Sequence, residues 1–163
     1  MIATHSFSPI QAARHFSNGV SDAAAVTVRL WHDGTQNLVQ TEFIGAPLRD
    51  TLRELARVSD ECSEDGWDGE GALGVGPDVV TTASEILNAL PFDLPRPEVS
   101  GDPRGFVRLE WFGTRQNILS LVVNSLNSFH FAARINDDRE WGSATFKGAL
   151  SHRIVRLIAE AVT

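Results

Sequence analysis

The sequence predicts an α+β fold, an antiparallel sheet of three to five strands with helices packed on one face. Three observations lead there. Helix-like and strand-like segments are segregated along the chain instead of alternating. The strand candidates are joined by short connections, which suits an antiparallel meander. The helix candidates carry their apolar residues as a single stripe. The expected order is helix, hairpin, two helices, a meander of three or four strands, and helix. A length of 163 residues fits one domain with a real core. Residues 1–45 read as an N-terminal elaboration, and residues 46–163 as the core of that domain.

Ser8 followed by Pro9 sets an N-cap and a first-turn proline for a short helix over 9–17, which stops near Asn18 and Gly19. Residues 25–32 alternate, with Val26, Val28 and Leu30 on one face and Thr27, Arg29 and Trp31 on the other. Asp33-Gly34 then turns the chain into a second run, QNLVQTEFI, and Asp-Gly between alternating runs signals a hairpin. A helix is expected over 46–62, with Leu48, Leu52, Leu55 and Cys62 on its stripe and Arg49, Arg53 and Arg57 on its other side. Asp50, Glu54 and Glu61 lie within a turn of those arginines, so local ion pairs are expected there. Arg153 and Arg156 on the last helix have the same explanation.

The stretch SEDGWDGEGALGVGPD holds five glycines and a proline, so it is a loop. A second helix is expected over 77–90, striped by Val79, Ala83, Ile86 and Leu90 and ended by Leu90-Pro91. Strands follow over 106–112, 117–124, 128–135 and, more weakly, 141–146. In the first, Val107, Leu109 and Trp111 oppose Arg108 and Glu110; in the third, Phe129, Phe131, Ala133 and Ile135 share a face. The segment ALSHRIVRLIAEAV closes the chain as an amphipathic helix, with Leu150, Ile154, Leu157 and Ala161 on its stripe.

Charge placement says more than charge total. The net charge is −7, yet residues 58–95 hold nine acids and no base, so the remaining residues sum to +2. The chain reads as a mildly basic body with one acidic segment. Binding nucleic acid directly through phosphates is not expected of it; meeting a protein with a basic surface is. Cys62 is the only cysteine, which excludes an internal disulfide and four-cysteine zinc, and a cytoplasmic setting is the simplest expectation. No apolar run approaches the roughly 20 residues of a membrane span. The N-terminal residues lack a charged region followed by an apolar one, so no signal peptide is expected. The five histidines form neither HxH nor HExxH, and no serine lies in G-x-S-x-G, so no catalytic residue, metal site or cofactor is assigned.

The most unusual piece surrounds Trp67. Glu64, Asp65, Asp68 and Glu70 flank that tryptophan among Gly66, Gly69 and Gly71. Glycines allow a tight loop that holds carboxylates and an indole together. Carboxylates at 65, 68 and 70 suit a hard cation in type, although their spacing is not that of an EF-hand. A tryptophan among acids suits a protein–protein anchor. The structural alternative has Trp67 plugging the core while Asp65 and Asp68 cap turns. A carboxylate pair of Asp68 with Glu110 is the corresponding acid–base reading.

A resemblance is carried by Trp67-Asp68-Gly69-Glu70-Gly71-Ala72, Pro97-Glu98-Val99 and Leu109-Glu110-Trp111. Over roughly residues 46–135 the chain resembles a family of small, largely uncharacterised bacterial α+β proteins with a W-D-G-x-G-A loop and an L-E-W strand. The resemblance implies a single α+β domain and supplies no activity to carry over. The functional expectation is a non-enzymatic binding module that inhibits or neutralises a basic, nucleic-acid-associated partner, as an antitoxin or immunity protein does, or an anti-CRISPR protein of a phage or mobile element. Glu64, Asp65, Trp67, Asp68 and Glu70 are its expected contact residues, with Trp31 as a second anchor. The alternatives are a small carboxylate-dependent hydrolase and a homo-oligomeric structural protein, the latter dimerising through the strand edge at 141–146 or the hairpin.

Overall fold

The computed structural model describes residues 46–124 and 127–163. The expected helix over 9–17, the 25–44 hairpin and Trp31 lie outside the described residues. Those described form an α+β fold with three helices and one five-stranded antiparallel sheet. Helix α1 spans 46–61 and α2 spans Pro77–Asn88. The strands are β1 (Glu98–Asp102), β2 (Phe106–Phe112), β3 (Ile118–Val123), β4 (Ser128–Ile135) and β5 (Asp138–Thr145). Helix α3 spans His152–Ala161 and is capped by Ser151. The strands lie in sequence order, β1 to β5, a simple meander.

Alternation places one set of side chains under the helices. Val99, Leu109, Leu121, Phe131 and Gly142 form one row across all five strands. The missing side chain at Gly142 is required, because a Cβ there would lie 2.9 Å from the Phe131 ring. Trp111, Leu119 and Ala133 form the next row, a large residue offset by a small one. These side chains share one core with Leu55 and Val58 of α1, Ile86 and Leu87 of α2, and Ile154, Leu157 and Ile158 of α3. The stripes expected for the helices face the core, with Leu48, Leu52 and Leu150 half-buried and the others buried, and they are widened by Val58, Leu87 and Ile158, because a core-facing helix buries three to four positions per two turns.

Two strand boundaries differ from expectation. β1 falls where no strand is expected, in EVSGD, whose serine, glycine and aspartate are poor strand formers. Among the described residues it is an edge strand, joined to β2 by Pro103-Arg104-Gly105. Gly105 N–H donates to Asp102 O at 2.9 Å and Gly105 takes a φ of +79°, a three-residue hairpin loop closed by glycine. β5 begins three residues earlier than the expected 141, since Asn136-Asp137 is itself a two-residue turn with Asn136 at a φ of +56°. The turn is pinned by Asn117, 5% exposed, whose Oδ1 accepts from Asn136 N–H at 2.7 Å.

Arg53 and Arg57 of the α1 arginine stripe pair locally, as expected. Arg53 meets Asp50 at 2.7 Å, and Arg57 bridges Glu54 and Glu61. On α3, Arg156 meets Glu160 locally at 2.9 Å, as expected, and Glu140 of β5 at 3.6 Å; Arg153 differs from expectation, since it pairs with Glu140 across to the sheet, where it also lies over the Phe131 ring.

Candidate functional site

The acidic loop between α1 and α2 is a built structure. Gly66, Gly69 and Gly71 all take positive φ, between 78° and 93°, which side-chain-bearing residues rarely adopt. The left-handed positions fold the chain back so that Gly66 N–H donates to Ala72 O at 2.6 Å. Asp68 Oδ1 accepts from Glu70 N–H at 2.8 Å and Ala72 N–H at 3.0 Å. Those backbone donors, Ala72 first, hold its carboxyl below the ordinary value of 3.8. Asp65 Oδ1 accepts from Gly74 N–H at 2.8 Å, closing the loop from its other side.

Trp67 anchors this loop to the sheet. Its indole N–H donates to Leu73 O at 3.1 Å, and the half-buried ring packs against the core. The ring and the Cys62 sulfur occupy the space over Gly101 of β1: a Cβ there would lie 2.7 Å from Cys62 Sγ and 3.2 Å from the indole. Leu73 N–H donates to Pro103 O at 2.9 Å, and Leu73 bridges Arg104 in parallel, so the loop's far end is tied to the β1–β2 turn. Burial, then the neighbouring Glu61 carboxylate, pushes the Cys62 thiol up, which opposes a nucleophilic role.

Gly101→Ala is therefore expected to lower stability by about 1–3 kcal/mol through overpacking. Combining it with Cys62→Ala should recover part of that loss, since the sulfur is the nearest obstacle. Denaturant midpoints of the two variants check this. A Gly101→Ala protein as stable as the parent would mean that the loop does not bear on β1.

The five acidic-loop residues singled out by sequence divide by role. Asp65, Trp67 and Asp68 hold the loop together. Glu64 and Glu70 are exposed at its surface. Among the described residues no cluster of three or more histidine, cysteine, aspartate or glutamate side chains is arranged to hold a metal ion. Nor are Asp68 and Glu110 brought together. Glu110 stands on the face of the sheet away from the helices, 3.9 Å from Arg108, whereas the loop packs through Trp67 over Gly101, whose row belongs to the helix-facing side.

A neighbouring arrangement was not singled out by sequence. Asp102, 1% exposed, accepts from Arg104 Nε at 2.8 Å and Arg108 Nη2 at 2.6 Å, and Arg104 also lies over the Phe106 ring. The signal for it is Asp-Pro-Arg-Gly directly before an alternating run, which reads as a hairpin turn with an aspartate at its first position. No helix among the described residues is long and apolar enough to cross a membrane. Compared with family models, curated proteins and solved structures, the chain finds no match.

Proposed function

We propose that this protein is a non-enzymatic binding module whose 63–75 loop presents carboxylates to a basic, nucleic-acid-associated protein, in the manner of an antitoxin, an immunity protein or an anti-CRISPR protein. One observation carries the reading. The loop is fixed by backbone-to-carboxylate bonds and by Trp67, yet Glu64 and Glu70 stay exposed in a stretch that holds no base. A pre-ordered acidic surface loses little conformational freedom on binding, and it attracts basic partners over a Debye length. A cytoplasmic setting suits such a partner.

The division of roles within the loop selects the variant. Glu64→Gln with Glu70→Gln removes two exposed charges and leaves the carboxylates that hold the loop. The parent should retain a nuclease-resistant protein from bacterial lysate that elutes as salt rises. The double variant should bind that purified protein about tenfold more weakly at low salt, with a shallower salt dependence. Equal affinity of the two proteins would remove the loop from the interaction, and the absence of any salt-sensitive partner would end the reading itself.

A further inference from the structure

We propose that the open face of the sheet, opposite the helices, is the contact surface between two copies of this chain. The register draws this face in rows. Glu98, Glu110, Ser120, Ala132 and Trp141 lie side by side across all five strands. Phe112, Ile118, Arg134 and Arg139 form the adjacent row. Trp141 is 74% exposed and Phe112 52%, and a shallow groove of about 320 Å³ runs beside Trp141 over Ile118, Ser120 and Ala132. Large aromatics standing this free, with the small Ser120 and Ala132 beside Trp141, mark a contact site.

Charge selects the occupant. Glu98 is directly opposite Glu110 on β1 and β2, and Arg134 is directly opposite Arg139 on β4 and β5. Like charges paired across strands are destabilising within one molecule. Arg108 lies 3.9 Å from Glu110 and offsets part of the first repulsion, whereas Arg134 donates to Gln116 O at 2.8 Å, a neutral acceptor that brings no opposite charge to the second pair. The two unfavourable pairs sit on the two sides of β3, the central strand. A two-fold axis along β3 therefore brings the glutamate side of one copy to the arginine side of the other, twice. Such an isologous contact is self-complementary, and sheets stacked face to face bury the aromatic rows between them. A basic or an acidic partner protein would match only half of the face.

Sedimentation equilibrium of the full chain tests this. The expected result is a particle of twice 17.8 kDa at about 100 µM protein, with dissociation favoured by salt. Arg134→Glu with Arg139→Glu puts acids on both sides of the face, and Glu98→Arg with Glu110→Arg puts bases on both sides. Each variant alone should dissociate at least tenfold more readily, and an equimolar mixture should restore the dimer. Trp141→Ser, at an exposed position that does not support the core, should also weaken the dimer tenfold with an unchanged circular dichroism spectrum. A monomeric parent overturns the proposal, as does a dimer indifferent to these substitutions. A monomer whose open face is protected from hydrogen exchange would assign the face to another occupant and overturn it equally.

Discussion

Replacing Trp111 by alanine is expected to cost about 3–5 kcal/mol of stability, the range for removing a large aromatic from a core. Trp111 is 2% exposed at the end of β2, with Leu119 beside it in the register and Ala133 next beyond. The small Ala133 cannot expand into the volume that the indole leaves. The indole N–H also donates to Pro95 O at 2.9 Å, tying the segment that enters β1 to the end of β2. Truncation therefore opens a cavity and orphans a carbonyl at once. Trp111→Phe separates the two effects: it keeps most of the apolar volume and loses the hydrogen bond, so a loss of about 1–2 kcal/mol is expected. Chemical denaturation of both variants checks the ranking. A Trp111→Ala protein within about 1 kcal/mol of the parent would mean that the site collapses freely, and would remove Trp111 from the centre of the core.

The segments that sequence reads well here are those whose burial is one-sided. β2, β3 and β4 alternate because one face meets the helices and the other does not, so Val107, Leu109 and Trp111 declare their side unaided. The same holds for α3, where one stripe is buried and the rest carries Arg153, Arg156 and Glu160. β1 is illegible for a specific reason. Its core-facing positions are Val99 and Gly101, and Gly101 has no side chain because Trp67 and Cys62 fill its place. Hydrophobic alternation is thus supplied from a distant loop, and no local pattern can reveal it. β5 is obscured differently. Among the described residues it is an edge strand, with Trp141 outward and Gly142 inward, the reverse of a core pattern, because Phe131 of β4 reaches across it. The acidic loop was legible as a structured, carboxylate-bearing turn. The turn-capping alternative for Asp65 and Asp68 was legible too, and both short carboxylates do accept backbone N–H groups; which donors they take, Gly74 for Asp65 and Glu70 with Ala72 for Asp68, was not, because the folded backbone sets them.

Asp102→Asn is expected to cost about 2–3 kcal/mol near neutral pH, less than the 3–5 kcal/mol of a fully buried pair. The carboxylate is buried but its partners are not: the Arg104 and Arg108 side chains are 62% and 37% exposed, so water already screens them. The guanidinium of Arg104 first, and then that of Arg108, hold the Asp102 carboxyl well below the usual carboxylate range against the opposing effect of burial. In the unfolded chain the same group titrates near pH ~3.9. The folded protein thus binds fewer protons than the unfolded chain below that point. The stabilisation is complete above the unfolded value and fades as pH falls from about 4 toward the depressed folded value. Asp68 and Glu54, also held low, act in the same direction, so acid lability alone does not isolate Asp102. The difference between parent and variant does, because those two carboxyls are present in both. The stability gap measured by denaturation should be widest from pH 5 to 7 and should narrow steadily below about pH 4. A gap that stays constant through that range would show that Asp102 contributes by shape and hydrogen bonding alone, with its charge playing no part. If the pH dependence is present, the Asp-Pro-Arg-Gly turn is an electrostatic clasp at the edge of the sheet, beside the point where Leu73 ties the acidic loop to it.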